Sequence, residues 1–148
     1  MSREMFKRIK EYTDMVDLLE GWTDDPGKAK VAFMSLMERL SGKEGASLAF
    51  ISRPGISYSL RGDIDSPGDQ YSYLFAMVDI IDDDPKDRWL SVCFYGDMIT
   101  DPDDEGDLVP GGLLGQDGYC FDLYDCDESA IRYLEQRIDE AYANTLSR

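Results

Sequence analysis

Two apolar runs dominate the hydrophobic pattern of the chain, Tyr71 to Ile81 and Trp89 to Met98, both rich in aromatic and β-branched residues. Between them lies Asp82-Asp83-Asp84-Pro85-Lys86-Asp87, which has turn chemistry: aspartates that bond their own backbone and a proline that fixes φ. The pattern predicts the central hairpin of an antiparallel sheet. Leu74, Ala76, Val78 and Ile80 alternate with Tyr73, Phe75 and Met77. On the second run Leu90, Val92, Phe94 and Met98 alternate with Trp89, Ser91, Cys93, Tyr95 and Asp97. Both faces of the hairpin are thus partly apolar. One helical layer covers one face of a small sheet, so the other needs the long loop, a second copy of the chain or a ligand.

Elsewhere the period shifts. Met5, Phe6, Ile9, Tyr12, Val16 and Leu19 recur at three- and four-residue steps and predict an amphipathic helix ending before Gly21. Asp24-Asp25-Pro26 predicts a cap with proline at the first helical position. The helix that follows would turn Val31, Met34, Met37 and Leu40 inward and stop at Gly42. After Gly45 the period becomes two. Ser47–Ser52 and Ile56–Arg61 read as short strands around Arg53-Pro54-Gly55-Ile56, a type II turn. Ile56, Tyr58 and Leu60 share one face of the second strand, with Ser57, Ser59 and Arg61 on its wet side. Residues 62–70 read as a polar loop and 99–118 as a long Asp/Gly-rich one. A last strand, Tyr119–Leu123, precedes a helix capped by Asp125 or Asp127, with Ile131, Leu134, Ile138 and Tyr142 inward. The expected fold is one α+β domain spanning residues 1–148. It has an antiparallel sheet of about five strands, with two N-terminal helices and one C-terminal helix mainly on one face.

Composition adds a charge map. The 148 residues suffice for a core without disulfide or metal staples. Ten Lys/Arg balance nine Asp/Glu up to residue 61, but five face twenty-two from residue 62 onward, for a net charge of −16. So acidic a surface repels nucleic acid and anionic membranes and suits metal cations or a basic protein partner. No apolar run reaches the length of a membrane span. The opening MSREMFKRIKEY has no apolar signal core, and three cysteines make no disulfide framework, so a cytoplasmic, reducing setting is expected.

Histidine is absent, which removes Ser-His-Asp and Cys-His nucleophile systems and imidazole zinc sites. There is no phosphate-binding Gly-Lys loop. The glycines at 111, 112, 115 and 118 suit turns. Asp101, Asp103, Glu105, Gly106, Asp107 and Leu108 match the first half of a calcium loop, but Gly112 stands where the bidentate glutamate belongs. A weak divalent-metal site on Asp101, Asp103, Glu105 and Asp107 is one expectation; no other cofactor is expected. Asp79 and Asp97, inside apolar strands, are the carboxylates for an acid–base enzyme. Cys93 has no basic neighbour in sequence and reads as an inert thiol. The strand-borne Tyr73, Phe75, Trp89 and Tyr95, with Asp97, either form a surface for a ligand or for a homodimer through the hairpin, or are core under the long loop.

The order of elements, with Arg53-Pro54-Gly55 and the closing Ile138-Asp-Glu-Ala-Tyr142, resembles small bacterial frataxin-like iron-chaperone domains over about residues 26–145. The resemblance implies an antiparallel α+β fold and acidic surface residues that hold iron. The leading functional expectation is a non-catalytic binding or interaction domain. Divalent-metal binding (iron or calcium) and a carboxylate enzyme stand as alternatives.

Overall fold

A computed structural model of the chain describes residues 3–65 and 72–148. Among these residues three α-helices and six strands form an α+β fold. In chain order they are α1 (Ile9–Gly21), α2 (Ala29–Ser41), β1 (Ala46–Arg53), β2 (Ser57–Asp65), β3 (Ser72–Ile81), β4 (Trp89–Tyr95), β5 (Asp107–Leu113), β6 (Gln116–Leu123) and α3 (Glu128–Leu146). All pairings in the sheet are antiparallel, in the order β1-β2-β3-β4-β6-β5.

The strand beyond the expected five is β5, which lies inside the segment expected to be a structureless loop. Leu114 and Gly115, both at positive φ, turn the chain back between Leu113 and Gln116. That two-residue hairpin turn matches the right-handed twist of its strands. Residues 62–65 are also strand rather than loop; residues 66–70 and Tyr71 lie outside the described residues.

The helices start and face differently from the periodic reading. Phe6 does not begin α1. It makes a parallel bridge to Leu48, Lys7 N–H donates to the Leu48 carbonyl, and the Glu11 carboxylate accepts from Phe50 N–H at 2.7 Å. The backbone of the edge strand β1 is thereby occupied. Ile9 is exposed, while Met15 and Leu19 are the residues α1 buries. Gly21 is the last helical residue, not the one after it. Asp25 accepts from Ala29 and Lys30 N–H, so the cap works one turn early and Pro26 stands ahead of the helix. In α2 Ala29, Ala32, Phe33, Leu36, Met37 and Leu40 face inward, whereas Val31 and Met34 are exposed. Asp127 caps α3 by accepting from Ala130 N–H at 2.8 Å.

The Arg53–Ile56 turn has the expected chemistry: Gly55 at φ 83 and Ile56 N–H bonded to the Arg53 carbonyl. Its neighbour Asp82 is no solvated turn residue. It is buried, accepts from Gly55 N–H, and pairs with Arg88 Nε at 2.7 Å.

The central hairpin forms as β3 and β4, with Met77 opposite Cys93 and Ile81 opposite Trp89. A bulge changes its faces. Gly62 lies opposite Ala76 and Asp63 opposite Leu74, which leaves Phe75 as the extra residue. Phe75 therefore turns to the helix side, packs in the missing side-chain volume of Gly62 and meets Tyr142 edge-on. Leu74 is displaced from the Ala76, Val78 and Ile80 face to the other side. The main core lies between the three helices and one face of the sheet. A second, small cluster of Leu74, Met77, Cys93 and Leu113 sits on the opposite face. Leu113 comes from the former loop, which thus supplies part of the missing cover.

Candidate functional site

The acidic segment after β4 is held in place by α3. Asn144 donates to the Met98 carbonyl, Glu140 accepts from Thr100 N–H and Oγ, and Arg137 pairs with Glu140 at 3.2 Å beneath. Arg137 also stacks its guanidinium over the Tyr133 ring. These anchors sit one turn apart along α3, so the helix fixes the loop as a strip. At its end Asp101 receives four donors: Glu105 N–H, Gly106 N–H, Tyr119 O–H at 2.7 Å and Tyr133 O–H. Gly106 is required there, because a side chain would collide with the rings of Tyr119 and Phe121.

Partial burial opposes ionisation of Asp101, but the bonds from Tyr133, Gly106, Glu105 and Tyr119 outweigh it and hold its carboxyl at about 2. Its hydrogen bond to Asp101, together with partial burial, pushes Tyr119 to about 12. Burial and the same carboxylate raise Tyr133. Asp101 is thus the organiser of the loop, and both its oxygens are committed to the protein. Asp103, Glu105 and Asp107 remain exposed at the rim. Among the described residues, no group of three or more Asp, Glu or Cys side chains comes together as a metal cage.

A cleft of about 200 Å³ opens beside this loop. Its walls include Asp103 and Glu105, Phe121 and Asp122 from β6, and Asp127 and Tyr133 from α3. Pairing between β5 and β6 runs only as far as Asp107 opposite Cys120. Phe121 to Leu123 therefore have a neighbouring strand on the β4 side alone, and the cleft follows that free stretch. Among the described residues no lysine or arginine lies within ion-pair distance of Asp103, Glu105, Asp122 or Asp127. Asp127 answers the positive end of the α3 dipole, so the uncompensated charge is that of the other three.

The expected aromatic surface is not one surface. Phe75 is in the core. Tyr73 is exposed at one end with Arg148 over its ring, Trp89 packs against Tyr124 with centroids 4.5 Å apart, and Tyr95 is half-buried. Asp97 is not inside a strand; it is exposed in the turn that follows β4. Asp79 does lie within β3, between Ser59 and Ser91 on the adjacent strands, with one carboxylate oxygen buried and unpartnered. Burial raises its pKa against the pull of Ser59, Arg61 and Arg53.

Cys93 is not a free thiol. It is bonded to Cys120, directly opposite on β6. The pair removes the cysteine-count argument for a reducing compartment. Cys126 is free and buried; burial, with Asp25, Asp125 and Asp127 nearby, pushes its thiol up to about 11. No helix among the described residues is long and apolar enough to cross a membrane. The sequence reading missed the cleft because its acids come from three separated segments; Asp122 lies inside the last strand and Asp127 caps the helix after it, without any motif. Set against family models, curated proteins and solved structures, the chain matches none.

Proposed function

We propose that the protein is a non-catalytic binding module whose acidic cleft receives a basic segment of a partner protein. The observation that carries this reading is the set of unpaired carboxylates at Asp103, Glu105 and Asp122, held by an ordered loop over an aromatic floor of Phe121 and Tyr133. A lysine or arginine matches that combination, with its aliphatic stem on the rings and its charge at the rim. The open edge of β6 favours an extended segment. Binding suits the site better than catalysis, since a catalytic acid needs a desolvated carboxylate and these three are exposed.

Calorimetry with an oligo-arginine peptide tests the proposal. Saturable binding that weakens with salt is expected. It should be lost in the Asp103→Asn, Glu105→Gln, Asp122→Asn variant and kept in Asp83→Asn, Asp84→Asn, Asp87→Asn, which removes the same charge from the turn between β3 and β4. Equal loss in both would reduce the interaction to general polyanion attraction and end the reading.

Divalent-metal binding is supported only by the exposed Asp103, Glu105 and Asp107 around a turn that Asp101 already orders. A homodimer through the central hairpin would use the helix-free side of β3 and β4. Light scattering showing a monomer at high concentration removes it.

A further inference from the structure

Cys93 and Cys120 lie on neighbouring antiparallel strands, directly opposite and on the sheet face that carries no helix. Their Cα atoms are 4.2 Å apart, the spacing of the narrow, non-hydrogen-bonded pair of a ladder. The register is fixed independently of the sulfurs, because β4 and β6 pair over six residues, Leu90 to Tyr95 with Leu123 to Gly118. The sulfurs are unequal. Cys93 is buried against Met77, Leu74 and Leu113, whereas Cys120 is half-exposed. Ser91 Oγ lies 3.8 Å from Cys93 Sγ, close enough to hydrogen-bond a departing thiolate.

We propose that Cys93–Cys120 is a thiol–disulfide exchange site that opens and closes without unfolding the sheet, with a small dithiol or a dithiol protein as its reductant. A reductant thiolate attacks Sγ of Cys120, the more exposed residue of the two. The Cys93–Cys120 bond breaks, a mixed disulfide forms at Cys120, and Cys93 leaves as a thiolate that takes up a proton. The second thiolate of the reductant then attacks its own sulfur in the mixed disulfide and frees Cys120. Two electrons and two protons have passed from the dithiol to the pair. Because the ladder keeps the thiols opposed, a disulfide oxidant closes them again by the reverse steps. Cys126, buried on the helix side, takes no part and serves as the internal reference.

The test is native-state thiol counting by maleimide mass shift in dithiothreitol and oxidised-glutathione buffers, with circular dichroism alongside. Two thiols should appear and disappear reversibly on the Cys126→Ser background while the β-sheet spectrum is unchanged. In Cys93→Ser, Cys120 should label at least about tenfold faster than Cys126, as an accessible thiol does against a buried one. A pair that forms no bond with oxidised glutathione overturns the proposal. So does one that resists millimolar dithiothreitol until denaturant is added, or one whose reduction unfolds the sheet.

Discussion

Two adjacent rows of cross-strand neighbours run through the sheet. On the helix side Phe50, Leu60, Val78, Val92 and Phe121 form one row, all buried and all apolar. On the opposite side the next row is Ala49, Arg61, Met77, Cys93, Cys120 and Asp107, with Ser59, Asp79 and Ser91 beside it. The first face obtains its order from burial under three helices. The second has a four-residue apolar cluster, a covalent bond and a carboxylate with an unpartnered oxygen. Non-directional burial tolerates no charge in its row, while the bare face accommodates charge because water reaches its edges. Order on the second side is thus local and chemically addressable, and the functional elements of the chain extend from the strands it latches.

The largest expected difference between the faces is in packing. Phe75→Ala should destabilise by about 3–5 kcal/mol through the cavity it leaves, while Arg61→Ala, in the row of the helix-free face, should stay within about 1 kcal/mol. Urea midpoints decide this, and comparable losses would mean that burial under the helices does not distinguish the two faces. Replacing Cys93 and Cys120 together by serine should cost about 3.5 kcal/mol in the same assay, the value for a closed loop of this length. A cost near zero would leave the second face without its covalent tie.

Asp101→Ala should cost about 1–3 kcal/mol, since several donors lose one acceptor. Acid should mimic it. The folded Asp101 pKa is depressed, so its stabilisation is full above the ordinary carboxylate value of 3.8 and is lost as pH falls towards about 2. Amide exchange of Glu105 and Gly106 across that window reports it; protection unchanged down to pH 2 would contradict the assignment. The smallest effect belongs to Asp79, whose folded pKa is raised. Its ionisation opposes folding, so wild type loses stability as pH rises through the ordinary carboxylate value and on to the folded one. Asp79→Asn should gain up to about 1 kcal/mol at pH 7 and nothing at pH 3. A loss at pH 7 would assign the carboxylate a partner.

The hairpin of β3 and β4 and the capping of α3 were legible because apolar alternation and a side-chain cap are local signals. The bulge at Phe75 was not, because it depends on the small Gly62 of another strand. Nor was β5: Leu114-Gly115 turns the chain without the usual asparagine or aspartate, and Pro110 and Gly111 break the alternation. For the acidic loop the sequence held the ligand-like spacing but not the direction of the groups. Only in space does Asp101 point to Tyr119 and Tyr133, 18 and 32 residues away, and leave its neighbours to the cleft.

The central claim, that a basic segment docks between the acidic loop and α3, is tested most directly by amide chemical-shift mapping with a short arginine-rich peptide. The account predicts saturating shifts confined to residues 103–107, 121–123 and 127–134, with the peptide lying along β6. Shifts spread evenly over the acidic surface, or centred on the helix-free face of β3 and β4, would contradict it.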